Sequence, residues 1–316
     1  MSDTEAAHVA RAAPPADVAR LWPLPDLLAE LLDEAEAQHD ALARGVALGP
    51  VTGLPKLDRE LAGRMVAGFH VLHGNTAAGK TSFALQVAAT CGAPALFVTC
   101  EMAPLELLRR VIARAAGVYL HRLKSGEYSR AAFAEYARTA LAACPMLALL
   151  DGTRAYAPAE QITAHAEAWR AHHGGAHVLV VIDSLHSWAG GRPAVGGYAA
   201  SEYDALGDAV IDVQHMAAEL AAPVILVNER NRASADAGGV NAAAGSRKVE
   251  YGAETVMGLY RKAEKDEQGK YRPAPFDATG EVDAHVLLEK NRHGAGGRVN
   301  LRFHGALQRF TEAARP

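Results

Sequence analysis

The chain has 316 residues, of which half are hydrophobic, 22% are charged and 6% are aromatic, and its formal net charge is −4. This composition is typical of a globular protein with a sizeable core, and it excludes a collagen, a coiled coil, wholesale disorder and a surface that is basic throughout. The sequence has neither a run of about 18 apolar residues nor a secretory signal near its start, so we expect a cytoplasmic protein without a membrane partner.

The N-terminal part of the chain changes character at position 24. Residues 1–23 are rich in Ala and Pro without a sustained period, which indicates a flexible arm. From Leu24 to Ala35, apolar residues recur at i, i+3, i+4 and i+7, and Gly45 supplies a stop signal. The pattern predicts an amphipathic helix over residues 24–44. Such a helix can pack on its own domain or dock on another subunit, and the periodicity does not decide between these alternatives.

Strands and helices alternate from Val51 onward, which predicts an α/β fold with a mostly parallel central sheet flanked by helices. We expect strands at residues 69–73, 95–99, 146–150, 178–182, 224–227, 255–260, 284–289 and 299–303. Helices are expected at residues 80–90, after Pro104, and at residues 130–143, 159–171 and 202–220. Two loops rich in small residues, 189–197 and 231–247, and a charged excursion at 262–279 complete the pattern.

Residues 74–81 match the phosphate-loop pattern G-x-x-x-x-G-K-[ST] between a predicted strand and a predicted helix. The eight residues are Gly74, Asn75, Thr76, Ala77, Ala78, Gly79, Lys80 and Thr81. Backbone N–H groups of such a loop surround the β-phosphate, the lysine neutralises phosphate oxygens and the hydroxyl coordinates Mg²⁺. The motif therefore predicts binding of a nucleoside triphosphate such as ATP, with Mg²⁺.

Two carboxylates follow predicted strands and are expected at the same sheet edge as the phosphate loop. Asp183 ends the strand 178–182, where an acid that holds the metal ion is expected, although a strand-end Asp can also merely cap a loop. Glu101 follows the strand 95–99 and could polarise the attacking water. Its spacing fits equally well an acid that stabilises the start of the next helix.

Seven segments occur in the order found in DnaB-type replicative helicases, and the resemblance covers about residues 45–310. They are the sequence TGLPKLD at 52–58, the phosphate loop, the pair Glu101-Met102, RLKSG at 122–126, the strand ending in Asp183, PVILVNERNR at 223–232 and EKNRHG at 289–294. The resemblance implies a RecA-like P-loop NTPase motor domain over residues 45–316. The helix 24–44 stands where the family has its linker helix, and we expect the family's separate N-terminal domain to be missing.

The resemblance also implies a role for each matching residue. Lys80 and Thr81 hold phosphate and Mg²⁺, Asp183 is the Walker B acid, and Glu101 is the catalytic base. Lys290 and Arg292 match a pair that projects into the ATP site of the next subunit. Arg232 matches an arginine at the start of the second DNA-facing loop, and Arg247 and Lys248 lie near the end of that loop. The implied assembly is a homo-oligomer, a hexameric ring around single-stranded DNA, with a primase or a loader as further partners.

The sequence departs from this family at two places. Glu229 stands where the family usually carries a glutamine that senses the γ-phosphate, and a carboxylate near a triphosphate is repelled unless a cation pairs with it. In the second loop, the positions of the family's Arg-Glu pair fall on Ala244 and Gly245, with Arg247 and Lys248 a few residues away.

Three functions compete at this point. The leading hypothesis is an ATP-driven helicase or translocase that moves 5′ to 3′ on single-stranded DNA. The alternative is an ATP-switched RecA-like ring or filament that recruits partners to DNA without unwinding it. A small-molecule kinase is disfavoured because the sequence has no acceptor motif. Trp188 beside the first small-residue loop is an open candidate for base stacking, whereas Trp169 is expected in the core.

Overall fold

The computed structural model describes residues 21–193, 201–229, 249–265 and 271–313. The chain divides into a short unit that ends at Leu48 and a large unit that begins at Gly49. In the short unit, helix α1 (Leu24–Arg44) ends at Gly45, whose φ of 66° is the left-handed conformation that glycine adopts without strain. The leucines of its apolar stripe are largely exposed, among them Leu28, Leu31 and Leu32.

The large unit alternates strands with helices. Its helices are α2 (Pro55–Glu60), α3 (Lys80–Thr90), α4 (Pro104–Ala116), α5 (Arg130–Ala143), α6 (Ala159–His172), α7 (Leu185–Gly190) and α8 (Glu202–Leu220). Its strands are β1 (Gly68–Gly74), β2 (Ala95–Thr99), β3 (Leu147–Asp151), β4 (Leu179–Asp183), β5 (Pro223–Glu229), β6 (Thr255–Arg261), β7 (Ala263–Lys265), β8 (Tyr271–Pro273), β9 (Glu281–Asn291), β10 (Gly297–His304) and β11 (Arg309–Glu312).

Within the described ranges, nine strands form one sheet in the order β11-β10-β9-β6-β1-β5-β4-β2-β3. The strands from β6 to β3 in this order run parallel, whereas β9, β10 and β11 continue the sheet through antiparallel pairs. Parallel strands require crossover helices, and these helices cover both faces of the sheet. The predicted mostly parallel sheet is therefore confirmed, with an antiparallel extension at one edge.

The two faces of the sheet carry separate hydrophobic cores. Successive side chains of a strand point to opposite faces, so Leu179 and Val181 belong to one core and Val180 and Ile182 to the other. Helices α3 and α4 contribute to the first core, and α6, α7 and α8 contribute to the second. Strands buried on both faces explain the nearly continuous aliphatic run that precedes Asp183.

The structure differs from the sequence expectations mainly in short elements. The stretch predicted as a loop from residue 189 begins inside α7, which ends at Gly190. The excursion at 262–279 contains the two-stranded sheet of β7 and β8. Among the helices in the described ranges, none combines the length and the apolarity that crossing a bilayer requires.

Candidate nucleotide site

The phosphate loop connects the end of β1 to the start of α3 and lies at the carboxyl edge of the parallel strands. A Cβ atom on Gly74 would stand 2.4 Å from the carbonyl oxygen of Leu259, so only glycine fits there. Gly79 has a φ of 95°, and a Cβ atom would lie 2.9 Å from the ring of Phe310. Gly74 is thus required by the close approach of the Leu259 backbone, and Gly79 is required by its own backbone conformation.

Lys80 lies across the loop that precedes it. Its Nζ atom donates hydrogen bonds to the carbonyl oxygens of Gly74 (3.0 Å) and Asn75 (3.3 Å), and the residue is only 8% exposed. The long side chain therefore holds its positive charge at the centre of the loop, at a helix start. A cation among backbone N–H groups favours a polyanion such as a phosphate chain.

Asp183 is the last residue of β4 and is buried beside the phosphate loop. The pKa of Asp183 is raised to about 6, chiefly by burial. A hydrogen bond from Thr81 and the charges of Lys80 and Arg110 lower this pKa, and the nearby carboxylate of Glu101 raises it. A buried carboxylate paired with a hydroxyl provides the oxygen ligands that Mg²⁺ prefers. The residues present therefore fit a magnesium ion that would be held by Thr81 and Asp183.

Glu101 reaches the same edge from the neighbouring strand. In the register of β2 and β4, Thr99 is opposite Asp183, and the N–H of Cys100 donates to the carbonyl oxygen of Asp183 at 2.7 Å. This pairing places Glu101 beside the start of α7, where its Oε1 atom accepts hydrogen bonds from Ser184 and, at 2.8 Å, from Ser187. Glu101 is exposed and lines the cleft, as a group that meets a water molecule must.

These groups share one cleft of about 210 Å³ at the sheet edge. Its lining includes Lys80, Thr81, Glu101 and Asp183, and it also includes Arg110 of α4. The Nη1 atom of Arg110 donates to the hydroxyl of Ser82 at 3.1 Å and to Gln308, and burial lowers the pKa of the guanidinium.

Arg110 was not predicted from the sequence. The adjacent Arg109 and Arg110 look alike in the sequence, and only their helix faces distinguish them. Arg110 stands three residues after the buried Leu107 and one before the buried Val111, so it lies on the inward side of α4. That helical spacing was the signal that could have revealed it.

Glu229 ends β5, and its backbone pairs with Gly74, the first residue of the phosphate loop. The position therefore lies at the same edge as the loop. Its neighbour Asn228 is buried.

The hairpin of β9 and β10 carries Lys290 and Arg292 at its turn end, with Arg292 just beyond the last residue of β9. The Nζ atom of Lys290 donates to the carbonyl oxygens of Glu250 (3.0 Å) and Tyr251 (2.8 Å). Arg292 donates to the same carbonyl of Tyr251 (2.9 Å) and to the carboxylate of Glu254 (3.0 Å). Neither Lys290 nor Arg292 is among the described residues that line the cleft.

The three predicted DNA contacts, Arg232, Arg247 and Lys248, lie outside the described residues. Trp188 is 1% exposed, and its Nε1 atom donates to the carbonyl oxygen of Ala157 at 2.8 Å, so it is a core residue and not a surface for bases. Trp169 is partly buried and stacks against His172. In the parts of the chain that the structure describes, no group of His, Cys, Asp and Glu residues forms a metal-binding cluster.

A phosphate loop and a strand-end acid at the carboxyl edge of this sheet define a P-loop NTPase with a RecA-like core. The sequence model of the DnaB-like helicase C-terminal domain matches residues 49–312, and the chain belongs to this family. A curated relative, the replicative DNA helicase DnaB of Pasteurella multocida (strain Pm70), is 23% identical over 298 residues. That alignment covers 91% of this chain and 60% of the relative, so the chain spans well under the full length of the relative.

Two solved structures share the fold. One is an ATPase domain that superposes with a TM-score of 0.73 at 20% identity, and the match covers 92% of this chain and 99% of that domain. The other is a DnaB-like replicative helicase, solved in a study of its interactions with primase, which superposes with a TM-score of 0.71 at 20% identity. This second match covers 93% of our chain and 68% of the helicase.

Proposed function

We propose that the chain is the motor of an ATP-dependent replicative DNA helicase, which couples ATP hydrolysis to movement along single-stranded DNA. One observation carries this proposal: Lys80, Thr81, Glu101 and Asp183 line one cleft in a RecA-like fold whose family is that of DnaB-like helicases. The direction of movement that we propose is 5′ to 3′. The proposed ligands are ATP and Mg²⁺, and the proposed partners are single-stranded DNA, further copies of the chain in a hexamer, and a primase or loader.

In the proposed reaction, residues 74–81 bind the triphosphate and Lys80 neutralises its β- and γ-oxygens. A magnesium ion held by Thr81 and Asp183 would withdraw negative charge from the same oxygens. Glu101 accepts a proton from water while the water oxygen bonds to the γ-phosphorus. The bond between the γ-phosphorus and the bridging oxygen breaks, and its electron pair leaves with ADP.

Lys290 and Arg292 act on a neighbouring copy of the chain in this proposal. Lys290 lies near the end of β9 and Arg292 directly follows that strand, and neither lines the cleft of its own chain. Cations delivered to the γ-phosphate from outside stabilise the charge of the transition state. Arg232, Arg247 and Lys248 are the proposed contacts to the DNA backbone, and Glu229 is the proposed link between the phosphate loop and the DNA loop.

The proposed organisation is a linker helix at 24–44 that docks on a neighbouring subunit and a motor domain at 45–316. Most of the arm expected at 1–23 lies outside the described residues. Among the described residues, the two hydrophobic cores of the large unit are built from residues between Leu54 and Phe310, which supports a motor domain that folds without the helix.

Steady-state ATPase assays with and without single-stranded DNA test the proposed function. We expect DNA to raise the hydrolysis rate of the wild-type chain and Lys80→Ala to reduce it to background with an unchanged melting temperature. Lys262→Ala is the matched control, because the Lys262 side chain is 55% exposed and lies outside the cleft. Normal hydrolysis by Lys80→Ala, or a rate that DNA does not change, would contradict the proposal.

A further inference from the structure

The carboxylate of Glu101 is held by two hydroxyl groups of one short helix. Its Oε1 atom accepts hydrogen bonds from Ser184 and, at 2.8 Å, from Ser187. Each hydroxyl has a single proton, and both protons can be directed to this one oxygen. The second carboxylate oxygen, Oε2, is then the one left to take a proton from water.

The two serines occupy fixed positions. Ser184 caps α7, since its side chain accepts a hydrogen bond from the N–H of Ser187. Between and beside them, the buried residues Leu185 and Trp188 anchor the helix in the core, and the Trp188 ring stacks on Tyr156. The core therefore fixes the hydroxyl groups, and through them it can fix the direction of a side chain that is itself exposed.

Glu101 benefits from such support because it is exposed and shares its cleft with a second carboxylate. Asp183 lines the same cleft, and two neighbouring carboxylates repel each other. An exposed glutamate also has many rotamers, and fixing one of them costs conformational entropy. Two hydroxyl donors offset both costs, because they bind the ionised carboxylate that a general base requires.

We infer that Ser184 and Ser187 are positioning residues, which hold the ionised Glu101 carboxylate in the direction needed to accept the proton of the attacking water. This inference rests on the proposed role of Glu101 as the base. In this arrangement two successive residues have different roles, since Asp183 at the end of β4 would hold the metal ion and Ser184 at the start of α7 directs the base.

Ser187 allows the cleaner test of the two. Ser184 lines the nucleotide cleft, so its removal could also disturb bound nucleotide. Ser187 lines a neighbouring cavity of about 180 Å³ and is not among the residues lining the nucleotide cleft. A loss of rate in a Ser187 variant would therefore have to pass through Glu101 or through the fold.

The experiment measures kcat and KM for ATP in the full-length chain with single-stranded DNA. We expect Ser187→Ala to lower kcat roughly tenfold, the loss typical of a hydrogen bond to a charged group, with KM changed less than about twofold. Ser187→Thr retains the hydroxyl and should restore the rate. Ser129→Ala is the control, because Ser129 caps α5 in the same way but does not contact Glu101.

A double-mutant cycle with Glu101→Gln distinguishes this inference from the proposed function itself. Glu101→Gln alone should lower kcat by about 10²–10⁴, and adding Ser187→Ala should then have no further effect. If Glu101→Gln keeps its rate, Glu101 is not the base, and both its proposed role and the positioning role of the serines are wrong. If Glu101→Gln is inactive while Ser187→Ala retains the wild-type kcat, or loses rate without rescue by threonine, the proposed function stands and the positioning role is wrong.

Discussion

The buried charge of Asp183 destabilises the fold, although its proposed role in binding Mg²⁺ requires that charge. Burial raises the pKa of this carboxyl group to about 6, above its value in an unfolded chain, so the folded state binds a proton more tightly than the unfolded state does. For an acid shifted in this direction, the charged form destabilises the fold. The penalty is complete above about pH 6, shrinks as pH falls and disappears below about pH 4.

Asp183→Asn is therefore expected to stabilise the metal-free protein while it abolishes hydrolysis. The amide removes the buried charge and can still accept the hydrogen bond from Thr81. We expect the free energy of unfolding at pH 8 to rise by roughly 1–3 kcal/mol, and the gain to vanish near pH 4. Urea unfolding at several pH values measures this difference.

The control for this prediction is Asp208→Asn, which changes an exposed aspartate on α8. It should have the wild-type stability and activity. A variant at position 183 that is less stable at pH 8, or equally stabilised at every pH, would show that burial does not dominate the energetics of this carboxylate.

At the scale of single elements, the β9–β10 hairpin carries Arg292, which is proposed to act in the ATP site of another subunit. In the isolated chain, Arg292 pairs with Glu254 and its side chain is 47% exposed, so the pair itself contributes no more than about 1 kcal/mol to stability. As a finger reaching another subunit, Arg292 would be worth about 10³–10⁵ in rate. Removal of Arg292 should therefore change the hydrolysis rate by orders of magnitude if the residue acts on another subunit, and should leave the rate nearly unchanged if it only pairs with Glu254.

Mixing two inactive proteins, Lys80→Ala and Arg292→Ala, tests the finger. Some interfaces in mixed rings would combine an intact phosphate loop with an intact Arg292, so ATPase activity should partly return. A mixture of Lys80→Ala with the Lys80→Ala/Arg292→Ala double variant contains no complete site and should stay inactive. Inactive mixtures of both kinds, in subunits shown to exchange by fluorescent labelling, would contradict action between subunits.

Helix α1 is the second element with a proposed role in assembly. Leu28, Leu31 and Leu32 are more than half exposed and are spaced to lie on one side of the helix. Deleting residues 1–44 should leave a folded monomer, as measured by light scattering and melting temperature. Leu28→Ala/Leu32→Ala in the full chain should weaken assembly in the same direction, whereas a truncated chain that still forms full rings would refute the docking role.

The elements that could be predicted are those whose local patterns are long or contain a breaker. The bounds of α3, α5, α8 and β2 coincide with the residues expected from the sequence, and in the structure Ser129 and Ser201 cap α5 and α8. Helices α2 and α7 have six residues each, too few for a helical period to appear, and β11 has four. These short elements form because the surrounding core fixes them.

The site divides in the same way. The phosphate loop is encoded by local spacing, and Asp183 and Glu101 follow from strand ends that a parallel sheet brings to one edge. Arg110, Ser184 and Ser187 were not predicted, since their placement depends on which side of α4 or α7 meets the cleft. The spacing from Leu107 indicates that Arg110 lies on the buried side of α4. The surface that this side meets, and the contact of the two serines with Glu101, come from tertiary packing.

For the whole molecule, a net charge of −4 restricts how DNA can be bound. The protein cannot act as a general polycation, so binding has to depend on local cations. We expect Arg232→Ala/Arg247→Ala/Lys248→Ala to weaken binding of single-stranded DNA and to flatten its dependence on salt by about 0.7 per lost phosphate contact.

Fluorescence anisotropy titrations at several salt concentrations measure that slope. Arg138→Ala provides the control, because the exposed Arg138 on α5 pairs only with the nearby Glu135 among the described ion pairs. A triple variant with the wild-type slope would remove the three cations from the DNA site.

The central claim is that hydrolysis in this cleft drives movement along DNA, and strand displacement tests it most directly. A forked duplex with a labelled strand is offered with a 5′ tail, a 3′ tail or both, together with ATP. We predict displacement that requires the 5′ tail and ATP hydrolysis and that Lys80→Ala abolishes. ATPase activity stimulated by DNA but without displacement from any of the forks would contradict the claim and would indicate an ATP-switched DNA-binding assembly instead.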